Sequence, residues 1–493
     1  MNRRVLAVIA VAVCLIVGTT GMAKEWEVSG KDDFSSGTLN GVSVSPDGGL
    51  ELAPPVQKMP GIEADLVWDI AVDGEGTLYA ATGGPAAVYE LREGQMKRRH
   101  KADEKHVMSL VSLSDGTLLA AGSPGGKIYE LTPDGKATTW ANLGTTYVWD
   151  MLEGPEGSVW CATGTEGKLI KVSPDGSTET VFDSDEDHLV CLLPAGDGAL
   201  YAGTAPGGLV LKITPGQGAN ILYDASEAEV HTLLDGPDGS IYAATAGTQK
   251  PANGPPGNGG PRPAPPGNNS GAKIKGAPPA TNSVYRIEPG KGATRLASVA
   301  NALVLSLATD QDGRLLAGTG MDGRIVHVAE DGRVGIVTQF EAAQVSRLIQ
   351  GPGGSLYAAT SSGGGLWRLE KGRRDSGEFV SKVFDADYMS RWGTLAWDGG
   401  SAGESGVELR LRTGNSNQPD KYWSSWSDPV TSAAGSGIEV PAGRFAQVKA
   451  GLSTDKTGAT PEVWALRASY RQSNRRPVFQ ETKIQRQDDE NGG

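Results

Sequence analysis

The stretch GPEGSVWCATGTEGKLIKVSPDG, Gly154–Gly176, decides the fold. It holds a Pro/Gly turn, a short apolar run, a Gly-bounded loop, a second apolar run and a Pro-Asp-Gly turn. Runs of Val, Trp, Leu and Ile between such breakers read as strands joined by tight reversals. Four strands are expected here: Val148–Leu152 (a), Val159–Thr163 (b), Lys168–Val172 (c) and Thr178–Phe182 (d). The phrase returns as GEGTLYAAT at Gly74–Thr82, GALYAGT at Gly198–Thr204, GSIYAAT at Gly239–Thr245 and GSLYAAT at Gly354–Thr360. Looser copies are GTLLAAG at Gly116–Gly122 and GRLLAGT at Gly313–Thr319.

The turn glycines Gly76, Gly116, Gly157, Gly198, Gly239, Gly313 and Gly354 lie 40, 41, 41, 41, 74 and 41 residues apart. The long step is one repeat plus 33 residues. Seven four-stranded repeats at this period predict an all-β chain built on a seven-bladed β-propeller. The last repeat has strands a to c, ending at Leu366–Leu369, and the segment around Leu50–Met59 resembles a d strand. Borrowing it would close the ring without a free edge. The competing closure uses Phe379–Phe384.

The boundaries follow from composition. Arg3 and Arg4 precede the apolar Val5–Val17, and Gly21-Met22-Ala23 offers a cleavage site, so residues 1–23 read as a signal peptide. Residues 24–47 form an N-terminal segment and 48–377 the propeller. Its insertion, about Gln249–Ala280, holds nine prolines and no aromatic residue. Such a stretch buries no core and is expected to be disordered, a surface loop or a flap beside the pocket. Residues 378–471 carry five of the chain's eleven tryptophans. With alternating runs such as Val407–Thr413 and Phe445–Leu452, this segment reads as a β-sandwich. Residues 472–493 are polar and expected to be disordered.

The formal net charge of −13, about −15 without the leader, argues against nucleic acid and anionic membrane surfaces. No segment after the leader could span a bilayer, so a periplasmic or secreted, monomeric protein is expected. An oxidising compartment permits a disulfide between Cys161 and Cys191. Their repeat positions do not face each other, which favours buried thiols.

Register points to the site. Ten residues before each turn glycine stand Leu66, His106, Tyr147, His188, Glu229, Leu303 and Gln344. Eight before stand Trp68, Met108, Trp149, Val190, His231, Leu305 and Ser346. Seven before stand Asp69, Ser109, Asp150, Cys191, Thr232, Ser306 and Arg347. Nine before is always Val or Leu, the expected buried face. In a propeller the first strands line the central channel, and the insertion leaves at the same end. That mouth is the candidate site. Trp68, Asp69, Tyr147, Trp149, Asp150 and Arg347 are its candidate ligand-binding residues. His106, His188, Glu229 and His231 are candidates for proton transfer, and His106, His188 and Glu229 for a metal. No cofactor is expected; a divalent metal ion is the one group these side chains could hold. Ordinary rim packing is the bland alternative. No P-loop, nucleophile elbow or dinucleotide fingerprint is present.

The segment Trp423-Ser424-Ser425-Trp426-Ser427 resembles, locally, the cytokine-receptor WSxWS motif. Its tryptophans could sandwich arginines, with Arg410, Arg412, Arg444 and Arg467 as candidates. A carbohydrate platform is the other option. The Gly154–Gly176 phrase, in its repeats over Leu66–Leu369, resembles bacterial propellers of the NHL, two-component-regulator and streptogramin-lyase type. That resemblance implies the fold and leaves the activity open, since such repeats host sensors, adhesins and enzymes. Regulator-type propellers are often followed by a β-sandwich. Similar sugar lactonases use a Glu/Asn/Asn/Asp metal set; no asparagine occupies the equivalent positions here, and that activity is not carried over. Streptogramin lyases use His and Glu with magnesium, which His106, His188 and Glu229 could match. The expected function is a non-enzymatic envelope protein binding a protein or glycan; the alternative is a metal-assisted lyase or hydrolase.

Overall fold

A computed structural model describes residues 23–249, 282–299, 302–400, 405–455 and 458–473. The expected leader, most of the insertion and most of the polar tail lie outside the described residues.

Seven antiparallel units follow the repeat. In the third, the strands are Tyr147–Glu153, Val159–Gly164, Lys168–Val172 and Thr178–Asp183. These match the expected runs to within a residue at each end. All seven aligned turn glycines hold φ between +71° and +86°, a backbone that side-chain-bearing residues enter at a cost. Each first strand touches the first strands of both neighbouring blades, and the circuit closes between Gln344–Gln350 and Leu66–Val72. The residue nine before each turn glycine is 0 % exposed in all seven blades, from Val67 to Val345. This is the apolar face that packs blade on blade.

The final blade takes its fourth strand from Val56–Met59, which pairs with Leu366–Leu369. The nearby Leu50–Leu52 is not part of that strand. It pairs with Val42–Val44, whose Val44 meets Ile336 on the outer strand of blade 6. The competing closure strand goes elsewhere: Ser376–Val380 pairs with Gly443–Ser453.

The C-terminal strands pair antiparallel. Phe384–Gly400 pairs with Glu462–Gln472 and, at its start, with Gly443–Ser453, which also pairs with Gly406–Gly414 and Ser376–Val380. Trp392, Trp397, Leu466 and Tyr470 share a core with Phe379, Leu409, Leu411 and Val448. The N-terminal segment belongs here rather than standing apart. Lys24–Ser29 pairs with residues 465–470, and Trp26 stacks on Phe384 at 4.8 Å. Its alternation, Trp26 and Val28 buried and Glu25 and Glu27 exposed, is that of an edge strand with one face on a core.

The WSxWS segment lies along Gly406–Gly414. Ser424 and Ser427 donate their backbone N–H groups to Thr413 and Leu411 and accept those residues' N–H groups on Oγ. Of the four candidate arginines only Arg412 enters the ladder, 5.5 Å from Trp423 and 4.6 Å from Trp426. Arg410, Arg444 and Arg467 pair instead with Glu408, Asp385 and Asp398.

Candidate functional site at the channel mouth

Every first strand carries a β-bulge at one repeat position. The register slips between Val67 and Asp69, Val107 and Ser109, Val148 and Asp150, and likewise in the other four blades. A bulge leaves one residue out of the ladder and re-aims it. That residue is the one eight before the turn glycine: Trp68, Met108, Trp149, Val190, His231, Leu305 or Ser346. All of these, and the seven residues ten before the glycine, are half-buried. They form the lining at the strand-start end.

Two blade pairs share one polar device. The indole Nε1–H of Trp68 donates to Nδ1 of His106 at 3.2 Å, and that of Trp149 to Nδ1 of His188 at 3.0 Å. Both ring pairs meet edge to face, at 84° and 76°. The space is made by glycine at the end of the neighbouring second strand. A Cβ on Gly83 would lie 2.1 Å from His106 Nδ1, and one on Gly164 would lie 2.0 Å from His188 Nδ1. Indole can only donate, so Nδ1 must accept and the neutral imidazole carries its proton on Nε2. Burial, with Lys105 nearby, holds His106 below the usual histidine range, in keeping with a neutral ring. Tyr147 stacks on Trp149 at 4.7 Å and 21°.

Glu229 and His231 form their own pair, Oε2 to Nε2 at 3.0 Å. Burial pushes the Glu229 carboxyl up, but the hydrogen bond with His231 and the neighbouring imidazoles outweigh it, and its pKa is lowered. Among the described residues no three His, Cys, Asp or Glu side chains gather as a metal ion would require, so His106, His188 and Glu229 are not brought together in that way.

The residues seven before the turn glycine act between blades. Asp69 accepts the N–H of Ile70 at 2.9 Å and of Leu110, in the next blade, at 2.8 Å. Asp150 does the same with Met151 at 3.0 Å and Leu192 at 2.8 Å. Arg347 Nε lies 3.1 Å from Asp69 Oδ1. Burial raises the Asp69 carboxyl despite Arg347, and raises Asp150 to about 6. Cys191 occupies the same register, its Sγ 3.9 Å from Val230 O. Cys161 and Cys191 are free and buried, and burial raises both thiols.

One constellation was not singled out from the sequence. Glu227 is fully buried at the root of the insertion and accepts hydroxyls of Ser283 at 2.7 Å, Tyr285 at 3.0 Å and Ser226 at 3.1 Å. Glu104 takes the Tyr129 hydroxyl in a similar way. The signal was available: Glu104, Glu186 and Glu227 share the position twelve before the turn glycine.

Solved structures carry the same architecture. The virginiamycin B lyase of Staphylococcus aureus matches with a TM-score of 0.50 at 15% identity, over 64% of this chain and 99% of its own. The extracellular domain of the hybrid two component system BT3049 from B. thetaiotaomicron matches with a TM-score of 0.50 at 12% identity, over 86% of this chain. This chain spans 60% of that one. The fold is a β-propeller. At these identities the likeness to the propeller neighbours is one of fold alone. No family model matches the chain, and no curated protein matches it. No helix among the described residues is long and apolar enough to cross a membrane.

Proposed function

We propose that this is an exported, non-enzymatic binding protein that receives a protein or glycan at the propeller mouth. The observation that carries this reading is the pair of indole–imidazole bonds. A neutral imidazole has one N–H and one lone pair, and here the indole occupies the lone pair of both His106 and His188. A histidine needs a free lone pair to bind a metal or take a proton. In this state the His106 ring can only donate, through Nε2–H, which suits recognition of carbonyl, carboxylate or hydroxyl oxygen. Tyr147 and Trp149 add an aromatic wall, and Glu229 an acceptor. The export signal expected at residues 1–23 supports a location in the periplasm or outside the cell.

The test is capture of defined ligands on the intact chain. Glycan and peptide arrays are probed with the parent and with the Trp149→Ala variant. Ligands retained by the parent and lost in the variant support the reading. No retention in either format, or retention insensitive to Trp149, counts against it.

A second reading, a lyase or hydrolase at the same mouth, rests on the Glu229–His231 pair, an ionised carboxylate beside an imidazole. It requires an activity that falls in Glu229→Gln.

A further inference from the structure

Every blade of the mouth except the sixth carries a polar or aromatic side chain at one or both lining positions, beside Leu66, Met108 and Val190. Blade 6 alone is aliphatic at both, with Leu303 and Leu305, each half-buried. The loop that follows carries Met321, 71 % exposed with φ +76°. Gly320, paired with Leu303 at the strand-start end, packs so closely that a Cβ would sit 3.1 Å from Leu305 Cδ1 and 3.4 Å from Leu303 Cβ. Met321 is the next residue.

Met321 combines two unfavourable features. A methionine at positive φ is strained by about 1 kcal/mol. An exposed thioether chain also gives up the burial such a side chain favours. The equivalent residue is Gly84 in blade 1, φ +59°, and Ser362 in blade 7, φ +60°, so the backbone does not ask for methionine. The loop is nonetheless held in place. Thr319 Oγ1 donates to Asp322 Oδ1 at 2.7 Å, and Gly323 N–H to Ala343 O at 3.1 Å. A strained apolar side chain on a pinned loop is what a preformed contact point requires.

Building on the binding function proposed above, we propose that the occupant of the mouth is a peptide segment of another protein. One apolar side chain would lie on Leu303, Leu305 and Met321, and a main-chain carbonyl would face the Nε2–H of His106. A peptide supplies both an apolar side chain and a main-chain acceptor; a free sugar offers hydroxyls and leaves the surface of Leu303, Leu305 and Met321 unused.

The experiment pans a display library of random linear peptides against the full chain. An enriched peptide is then titrated by fluorescence polarisation against the parent, Met321→Ser, Leu305→Ala and, as a control, Met389→Ser, another exposed methionine. Serine already occupies the equivalent strained position at Ser362, so Met321→Ser is expected to fold. The expected result is an apolar consensus whose affinity falls about tenfold in Met321→Ser and not in Met389→Ser. Enriched peptides indifferent to both Met321→Ser and Leu305→Ala overturn the proposal. So does a glycan array that retains a Trp149-dependent glycan while no peptide is enriched, an outcome that leaves the mouth as the binding site. Failure of both libraries overturns the peptide and the mouth together.

Discussion

Arg347 of the last blade stands 3.1 Å from Asp69 of the first, and this ion pair crosses the seam where the ring closes. Asp69 also holds Leu110 of the second blade, so one buried carboxylate ties three blades. Ser361 Oγ adds a bond to Val67 O across the same seam at 3.0 Å. Removing the guanidinium leaves the carboxylate buried without a counter-charge. Arg347→Met is expected to lower stability by about 3 kcal/mol. Urea unfolding checks this, and the double variant with Asp69→Asn should recover part of the loss.

Asp150 gives a pH dependence of defined sign. Its folded pKa, about 6, lies above the ordinary aspartate value of 3.8, so the folded state binds its proton more tightly. Its contribution is therefore fully present at low pH and is lost as pH rises through about 6. Melting temperatures followed from pH 4 to 7 should show this falling component, and Asp150→Asn should remove it.

The Trp68–His106 bond predicts a tautomer. Nitrogen NMR of the native protein at neutral pH should show His106 protonated on Nε2. In Trp68→Phe the indole N–H no longer opposes a proton on Nδ1. The His106 pKa should then rise, and about 1 kcal/mol of stability should be lost. A native His106 protonated on Nδ1 would contradict the hydrogen bond as described.

Gly164→Ala tests the space behind the second pair. Its Cβ would fall 2.0 Å from His188 Nδ1 and 2.6 Å from Trp149 Nε1. The expected cost is about 2 kcal/mol, from overpacking and a broken bond. Gly74→Ala, with nothing within 4 Å, should leave the melting temperature near that of the parent.

The chain order already contains what is local. Turn glycines recur because a tight reversal needs positive φ, and Val or Leu recurs nine residues earlier because every blade buries the same face. A period of such units is enough to specify a propeller and to place the side chains of its mouth by register. Even the closing strand, Val56–Met59, is legible from the missing fourth strand of the last repeat. What register cannot supply is the partner across a gap. Trp68 meets His106 and Trp149 meets His188 only because blades pack at a fixed angle and a glycine stands behind each pair. His106 therefore looks like a free ligand in the sequence and becomes a donor in the fold. The pairing of Lys24–Ser29 with residues 465–470 is likewise a long-range event, since an edge strand's hydrogen bonds carry no information about which distant strand will satisfy them.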